Sequence, residues 1–125
     1  MKILKETSGF TLIEILIATV IITITSLGVA TLTVGVMRGN SFSKRLTTAT
    51  TLIQDQLEEV KRLGYLNAGT VSGTQNYGTI ANFTGYKRVV SVSNNSPEVN
   101  MKTIDITVYW DADKHWVKAS TILSE

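Results

Sequence analysis

Apolar residues fill the first third of the chain almost without a break, recur every three or four positions in the middle, and alternate in the last third. The unbroken run starts at Phe10, in "SGFTLIEILIATVIITI", and holds one charge, Glu14. From Ile15 to Met37 there is no charge at all, which predicts a helix of about 34 Å at ~1.5 Å per residue. That length suits a hydrocarbon layer of about 30 Å. Thr19, Thr23, Thr25, Ser26, Thr31 and Thr33 dilute the apolarity, yet a helical hydroxyl can return its proton to a preceding carbonyl and so tolerate lipid. Small residues also let a second helix come close. Gly28 and Gly35 weaken the same helix.

The helical period continues past this run. Phe42, Leu46, Ala49, Ile53, Leu57, Val60 and Leu63 form one apolar stripe, and Lys44, Arg45, Asp55, Glu58, Lys61 and Arg62 lie mostly off it as a solvated face. Glu58 stands four residues before Arg62, a favourable helical pair. Gly64 follows the basic turn Lys61-Arg62 and supplies a stop. A helix from Phe10 to Leu63 would be roughly 80 Å long. Residues 64–85 are rich in Gly, Asn, Thr and Ser and predict a long ordered loop. Its "GTVSGT" has no Lys-Ser/Thr ending and opens no helix, so it is not a phosphate loop.

Beyond residue 85 the period becomes two. "YKRVVSVS", "MKTIDITVYW" and "HWVKASTIL" predict three antiparallel strands, with Val90, Val92, Ile104, Ile106, Val108, Val117, Ala119 and Thr121 on one face. A lone three-stranded sheet needs a cover, and the stripe from Phe42 to Leu63 is the apolar surface left to provide it. The expected class is α+β, with one long helix whose second half lies on a small antiparallel sheet. The predicted divisions are a leader at 1–9, a membrane-spanning or filament-core helix at 10–37, an amphipathic helix at 38–63, a connecting loop at 64–85 and the sheet at 86–125.

Composition narrows the chemistry. Twelve Lys and Arg against ten Asp and Glu give a net charge of +2, and the basic residues are interspersed with acidic ones, which gives no nucleic-acid footprint. There is no Cys, so disulfides, thiolate metal sites and a Cys nucleophile are excluded together. His115 is the single His, which rules out a two-His zinc site. Asp111, Asp113 and His115 offer too few ligands for a metal site and read as a polar turn between Trp110 and Trp116. Trp110, Trp116 and Tyr109 read as core and sheet-edge aromatics rather than a base-stacking platform. No catalytic constellation, cofactor site or metal site emerges, and the expectation is a protein that is not an enzyme.

The opening segment, with Lys2 and Lys5 in a short polar leader, then Gly9-Phe10-Thr11-Leu12-Ile13-Glu14 ahead of the long apolar helix, resembles the prepilin signature of type IV pilins and of the pseudopilins of type II secretion. The resemblance extends to the architecture and implies the pilin fold. It implies that a prepilin peptidase cuts between Gly9 and Phe10 and methylates the new Phe10 amine. It also implies inner-membrane anchoring before assembly with other pilin subunits through the helix, the C-terminal domain outside the cytoplasm, and a charge-pairing role for Glu14 in an extracytoplasmic filament. Two features depart from many major pilins: the second half of the membrane segment has Thr31 near Gly28 in place of a Pro, and no disulfide can close a C-terminal loop. "KTIDITVYWDADKHWVKASTIL" is similar to the C-terminal hairpin of minor pilins and minor pseudopilins, which favours a minor subunit that helps initiate or modify a pilus, with a minor pseudopilin of type II secretion as the alternative.

A secreted β-domain is the rival. Gly28-Val29-Ala30 would serve as a cleavage site after an apolar signal region, but Glu14 within that region and the apolar run continuing to Met37 oppose it. A single-pass protein that never assembles is a third reading. Charge alone does not fix orientation, because Lys2 and Lys5 before the span face Arg38, Lys44 and Arg45 after it.

Overall fold

The computed structural model describes residues 9–125, so the leader expected at 1–9, with Lys2 and Lys5, lies outside the described residues except for Gly9. Helix α1 spans Leu12–Asn67. The chain divides into two compact units, the first ending at Ser41 and the second running from Phe42 to Glu125.

In the first unit every helical residue from Leu12 to Ser41 is exposed. The threonines conform to the helix in the way lipid requires. Thr19 donates to the Leu16 carbonyl, Thr23 to Thr19, Thr25 to Ile21, Thr31 to Leu27 and Thr33 to Val29, all at 2.7–3.0 Å. Each of these hydroxyl protons is satisfied without water, so the polar atoms do not prevent burial among apolar neighbours.

In the second unit the helix packs on a four-stranded antiparallel sheet, ordered β1 (Gly73–Gln75), β2 (Tyr86–Asn94), β3 (Met101–Trp110) and β4 (His115–Ser124). The architecture is α+β, like the pilin fold. Ala49, Leu52, Ile53 and Val60 of the helix meet Val90, Ile104, Ile106, Val108 and Trp110 of the sheet in one buried cluster. The even-numbered positions of β3 are buried from Ile104 onward and the odd ones only half so, the signature of a central strand with one face against a helix. The stripe is wetter at its start than the sequence pattern indicates: Phe42 and Leu46 remain exposed, whereas Leu52, outside the stripe, is buried.

The segment 64–85 is not simply a loop. Gly64 breaks the helix with φ 68° and ψ −179°, a conformation essentially confined to glycine. A last helical turn follows to Asn67, then a 3-10 turn over Ala68–Val71 and the added strand β1, paired to β2 through Gly73↔Val90, Thr74↔Val89 and Gln75↔Arg88. Hydrophobic pattern carries no trace of β1, because all three of its residues are exposed. Polar bonds hold this region instead. The Arg88 guanidinium donates to the Gln75 side-chain oxygen and, at 3.1 Å, to the Leu52 carbonyl of the helix. Lys102 donates to the Tyr65 carbonyl at 2.7 Å and lies 4.4 Å from the Tyr65 ring centre, fastening the turn after Gly64 to the start of β3. One expected pair changes: Arg62 bonds Glu59 through two parallel contacts of 2.9 and 2.6 Å, not Glu58, because the i, i+3 position presents both carboxylate oxygens to the guanidinium fork.

Ile106 sits at the centre of this core with no exposed surface, so Ile106→Ala should lower the unfolding free energy by about 2–5 kcal/mol. Gly64→Ala should cost about 1–3 kcal/mol, because the alanine must occupy a glycine conformation. Both are read from denaturant unfolding of the detergent-solubilised chain followed by near-ultraviolet circular dichroism, and Trp116→Ala, at an exposed position, should change the midpoint little.

Candidate functional site

Helix α1 begins with a reciprocal cap. Thr11 precedes the first helical residue, and its hydroxyl accepts the Glu14 N–H at 3.3 Å while the Glu14 carboxylate accepts the Thr11 N–H at 3.3 Å. The Thr11 hydroxyl is also 3.3 Å from the same carboxylate oxygen, Oε2. This is the capping box S/T-x-x-E, in which side chains satisfy main-chain donors that the first turn leaves free. Glu14 thus has partners within its own helix, and its negative charge lies at the positive end of the helix dipole. Both Thr11 contacts fall on Oε2; among the described residues Oε1 receives no hydrogen bond. The signal was present in the sequence as Thr11-Leu12-Ile13-Glu14, and reading Glu14 only for its charge misses Thr11.

Gly9 and Phe10 lie before the helix in extended or irregular chain, and Phe10 is 83% exposed. A peptide bond in that setting is open to an enzyme, whereas one inside a helix is protected by the helix itself. Gly9, Phe10 and Glu14 therefore fall within one short segment around the helix start. Beyond it, α1 is long and apolar enough to cross a membrane, with the apolar window wholly uncovered.

Of the other residues weighed from the sequence, His115 brings its Nε2 within 4.0 Å of an Asp111 carboxylate oxygen, whereas Asp113 turns away from both. The β3–β4 turn places Asp111, Ala112 and Asp113 all at positive φ, 55–66°. Asp113 turns towards the outer sheet face, where its carboxylate accepts from Tyr77 at 2.9 Å and from Lys87 at 2.5 Å, and its N–H donates to the Tyr77 oxygen at 3.0 Å. His115 instead stacks on Trp110, 5.6 Å between ring centres, and meets Phe42 edge-on at 5.4 Å. Among the described residues no group of three His, Asp or Glu side chains is arranged to hold a metal ion. The clamp on Asp113 restrains a turn whose left-handed residues are otherwise unfavourable.

Hydrogen bonds from Lys87 and then Tyr77 hold the Asp113 carboxyl below its usual value of 3.8. The bond to Asp113 in turn raises Lys87 above its usual 10.5. A depressed carboxyl contributes stability above its unfolded value and loses it as pH falls through the folded one; a raised lysine contributes below its unfolded value and loses it as pH rises through the folded one. The clamp should therefore stand from about pH 4 to about pH 10. Titration of the Asp113 carboxyl by nuclear magnetic resonance should give a midpoint below 3.8, and Lys87→Met should move it upward.

Residues 4–30 match a family model described as the prokaryotic N-terminal methylation motif. No curated protein and no solved structure matches the chain. The matched stretch contains the whole cap and most of the apolar run. Such a motif implies cleavage by a prepilin peptidase and assembly with other pilins, and it points to a structural subunit rather than an enzyme. The motif and the one apolar helix among the described residues together fit membrane anchoring before pilus assembly. The N-terminal segment of this chain is a type IV prepilin-like signal, consistent with a pilin or pseudopilin precursor.

Proposed function

We propose that the protein is a minor type IV pilin, cut between Gly9 and Phe10 by a prepilin peptidase, methylated on the Phe10 amine and assembled into a pilus through α1. The observation that carries this reading is the methylation motif at residues 4–30, leading into a helix whose residues 12–41 have no cover among the described residues. A signal-peptide cut near Ala30 would divide that helix inside its apolar run; a cut at Gly9 leaves it whole.

In this reading the helix first crosses the inner membrane with the β-domain outside the cytoplasm, and then exchanges lipid for other pilin helices. Apolar surface needs no remodelling for that exchange, since both environments exclude water. Glu14 is the residue that distinguishes them. A carboxylate at membrane depth is costly unless partnered, and the Thr11 cap supplies partners in the free chain. The Phe10 amine released by cleavage offers a cation, and Oε1 has room to accept it from a neighbouring subunit. Such a pair would set the axial register between helices in a water-excluding filament core.

The mature N-terminus tests the processing step: Edman sequencing or intact mass should show a chain starting at N-methylated Phe10, and Gly9→Val should leave only uncut precursor. A chain starting at Thr31, after a cut at Ala30, would establish the secreted-domain reading instead. For assembly, Glu14→Leu should be inserted and cut normally but fall about tenfold in sheared filaments, since the neighbour's amine loses a partner in a dry interface. Normal entry of Glu14→Leu into filaments would refute the pairing role. A minor subunit should also be far scarcer in those filaments than a separate major pilin, measured by quantitative mass spectrometry.

A further inference from the structure

The aromatic residues of the second unit gather at one of its ends. β3 runs from Lys102, whose ammonium bonds the Tyr65 carbonyl, to Trp110, whose ring lies 6.1 Å from that of Phe42. Phe42 is the residue at which the chain enters this unit. Tyr86 pairs with Trp110 across the sheet, Tyr109 pairs with Trp116, and Tyr77 bonds Asp113 in the β3–β4 turn, so these rings surround the Phe42 end. Phe83 packs edge-on against Tyr86, which leaves Tyr65 as the aromatic residue of the far end among the described residues.

Core packing does not account for this gathering. Trp110 is buried, but Phe42 and Trp116 are 45% and 61% exposed, and Tyr77 is exposed as well. Phe42 lies on the helix side of the sheet and Trp116 on its outer face, with the turn 111–114 between them. Lys44, Arg45 and Lys114 at the same end are exposed and take no ion pair among the described residues. Against them stands Asp111, since Asp113 is taken up by Lys87.

The place of this end along the chain decides what meets it. The uncharged run stops at Met37, and from Met37 to Phe42 even an extended chain reaches only about 18 Å, whatever its direction. While α1 is held in a bilayer, this end of the domain cannot leave the neighbourhood of the headgroups, and a surface confined so closely is engaged even by individually weak contacts. Trp and Tyr, apolar in body and polar at the tip, concentrate in that layer, and anionic headgroups attract lysine and arginine. Protein interfaces, by contrast, deplete lysine.

We propose that before assembly this end of the domain rests on the headgroup layer of the membrane that holds α1, with Phe42, Tyr77 and Trp116 in the interface and Lys44, Arg45 and Lys114 on lipid phosphates; this rests on the membrane-anchored reading above. Leu66 and Val99, the exposed apolar residues of the far end, then stay clear of lipid.

The chain has no Cys, so nitroxide labels can be placed singly at Lys114→Cys, Leu66→Cys and Ile24→Cys in the full-length chain. In vesicles of phosphatidylethanolamine and phosphatidylglycerol, with lipid in large excess, electron paramagnetic resonance reads their collisions with a water-borne nickel chelate. The label at 24 should be shielded, the label at 114 should lose most of its collisions, and the label at 66 should stay open. Adding Trp116→Ser, Lys44→Glu and Arg45→Glu, all at exposed positions, should keep the thermal unfolding midpoint and open the label at 114. Equal accessibility at 114 and 66 with 24 shielded would overturn the proposal and leave the anchoring intact; an open label at 24 would overturn both. Shielding at 114 that survives the triple variant, or that disappears when lipid per chain is raised, would overturn the headgroup contact.

Discussion

The constraint on which the rest depends is that the described residues leave the first part of α1 uncovered. From Leu12 to Ser41 no residue is buried, although most are Ile, Leu, Val, Ala or Thr whose hydroxyl is turned back to a carbonyl. Burial of apolar surface is worth roughly 25 cal/mol per Å², so a helix of this size left in water would oppose the stability of the small domain that follows. The cover must come from lipid or from other proteins. On the proposed filament reading that cover would change from lipid to other pilin helices, both of which exclude water.

The second unit obeys the opposite rule and closes its own core. The helix face from Ala49 to Val60 is matched to the even residues of β3 from Ile104 to Trp110, and Val90, Ala68 and Ile80 complete the cluster. Where apolar contacts run out, long cationic side chains take over: Arg88 binds β1 to the helix, Lys102 binds the turn after Gly64, and Lys87 holds the β3–β4 turn. These bonds use carbonyl and carboxylate acceptors from segments distant in sequence. Arg88 has burial lowering its pKa, partly offset by Asp55, as expected for a guanidinium taken partly from water to serve as a clamp.

What was legible in the sequence followed from periodicity and from local chemistry. The alternation in β2, β3 and β4 gave strands with the correct inner face, and the run from Ile15 to Met37 gave the exposed helix. Gly64 was legible as a break, since only glycine readily takes the backbone angles found there. β1 was not legible, because a three-residue strand with no buried side chain leaves no period to detect. Nor was the choice of Glu59 over Glu58 for Arg62, where two carboxylates one position apart differ only in how they meet the fork. The clamp on the β3–β4 turn joins Tyr77, Lys87 and Asp113 across 36 positions of sequence, a distance over which no spacing rule operates.

Thr11 shows a different kind of miss, and it changes the account of Glu14. An acidic residue in an apolar run invites a search for a cation, and none exists in the run. The first turn of a helix is itself an electropositive site, with free N–H groups and the positive end of the dipole. The cap explains how Glu14 is tolerated before any amine is available, and the geometry of the cap keeps the second role open. A carboxylate has about four lone-pair positions on two oxygens, and the Thr11 contacts use Oε2 alone. An amine approaching Oε1 from a neighbouring helix would add a charge-assisted bond without breaking the cap. On the proposed assembly, capping and pairing would be successive uses of one side chain.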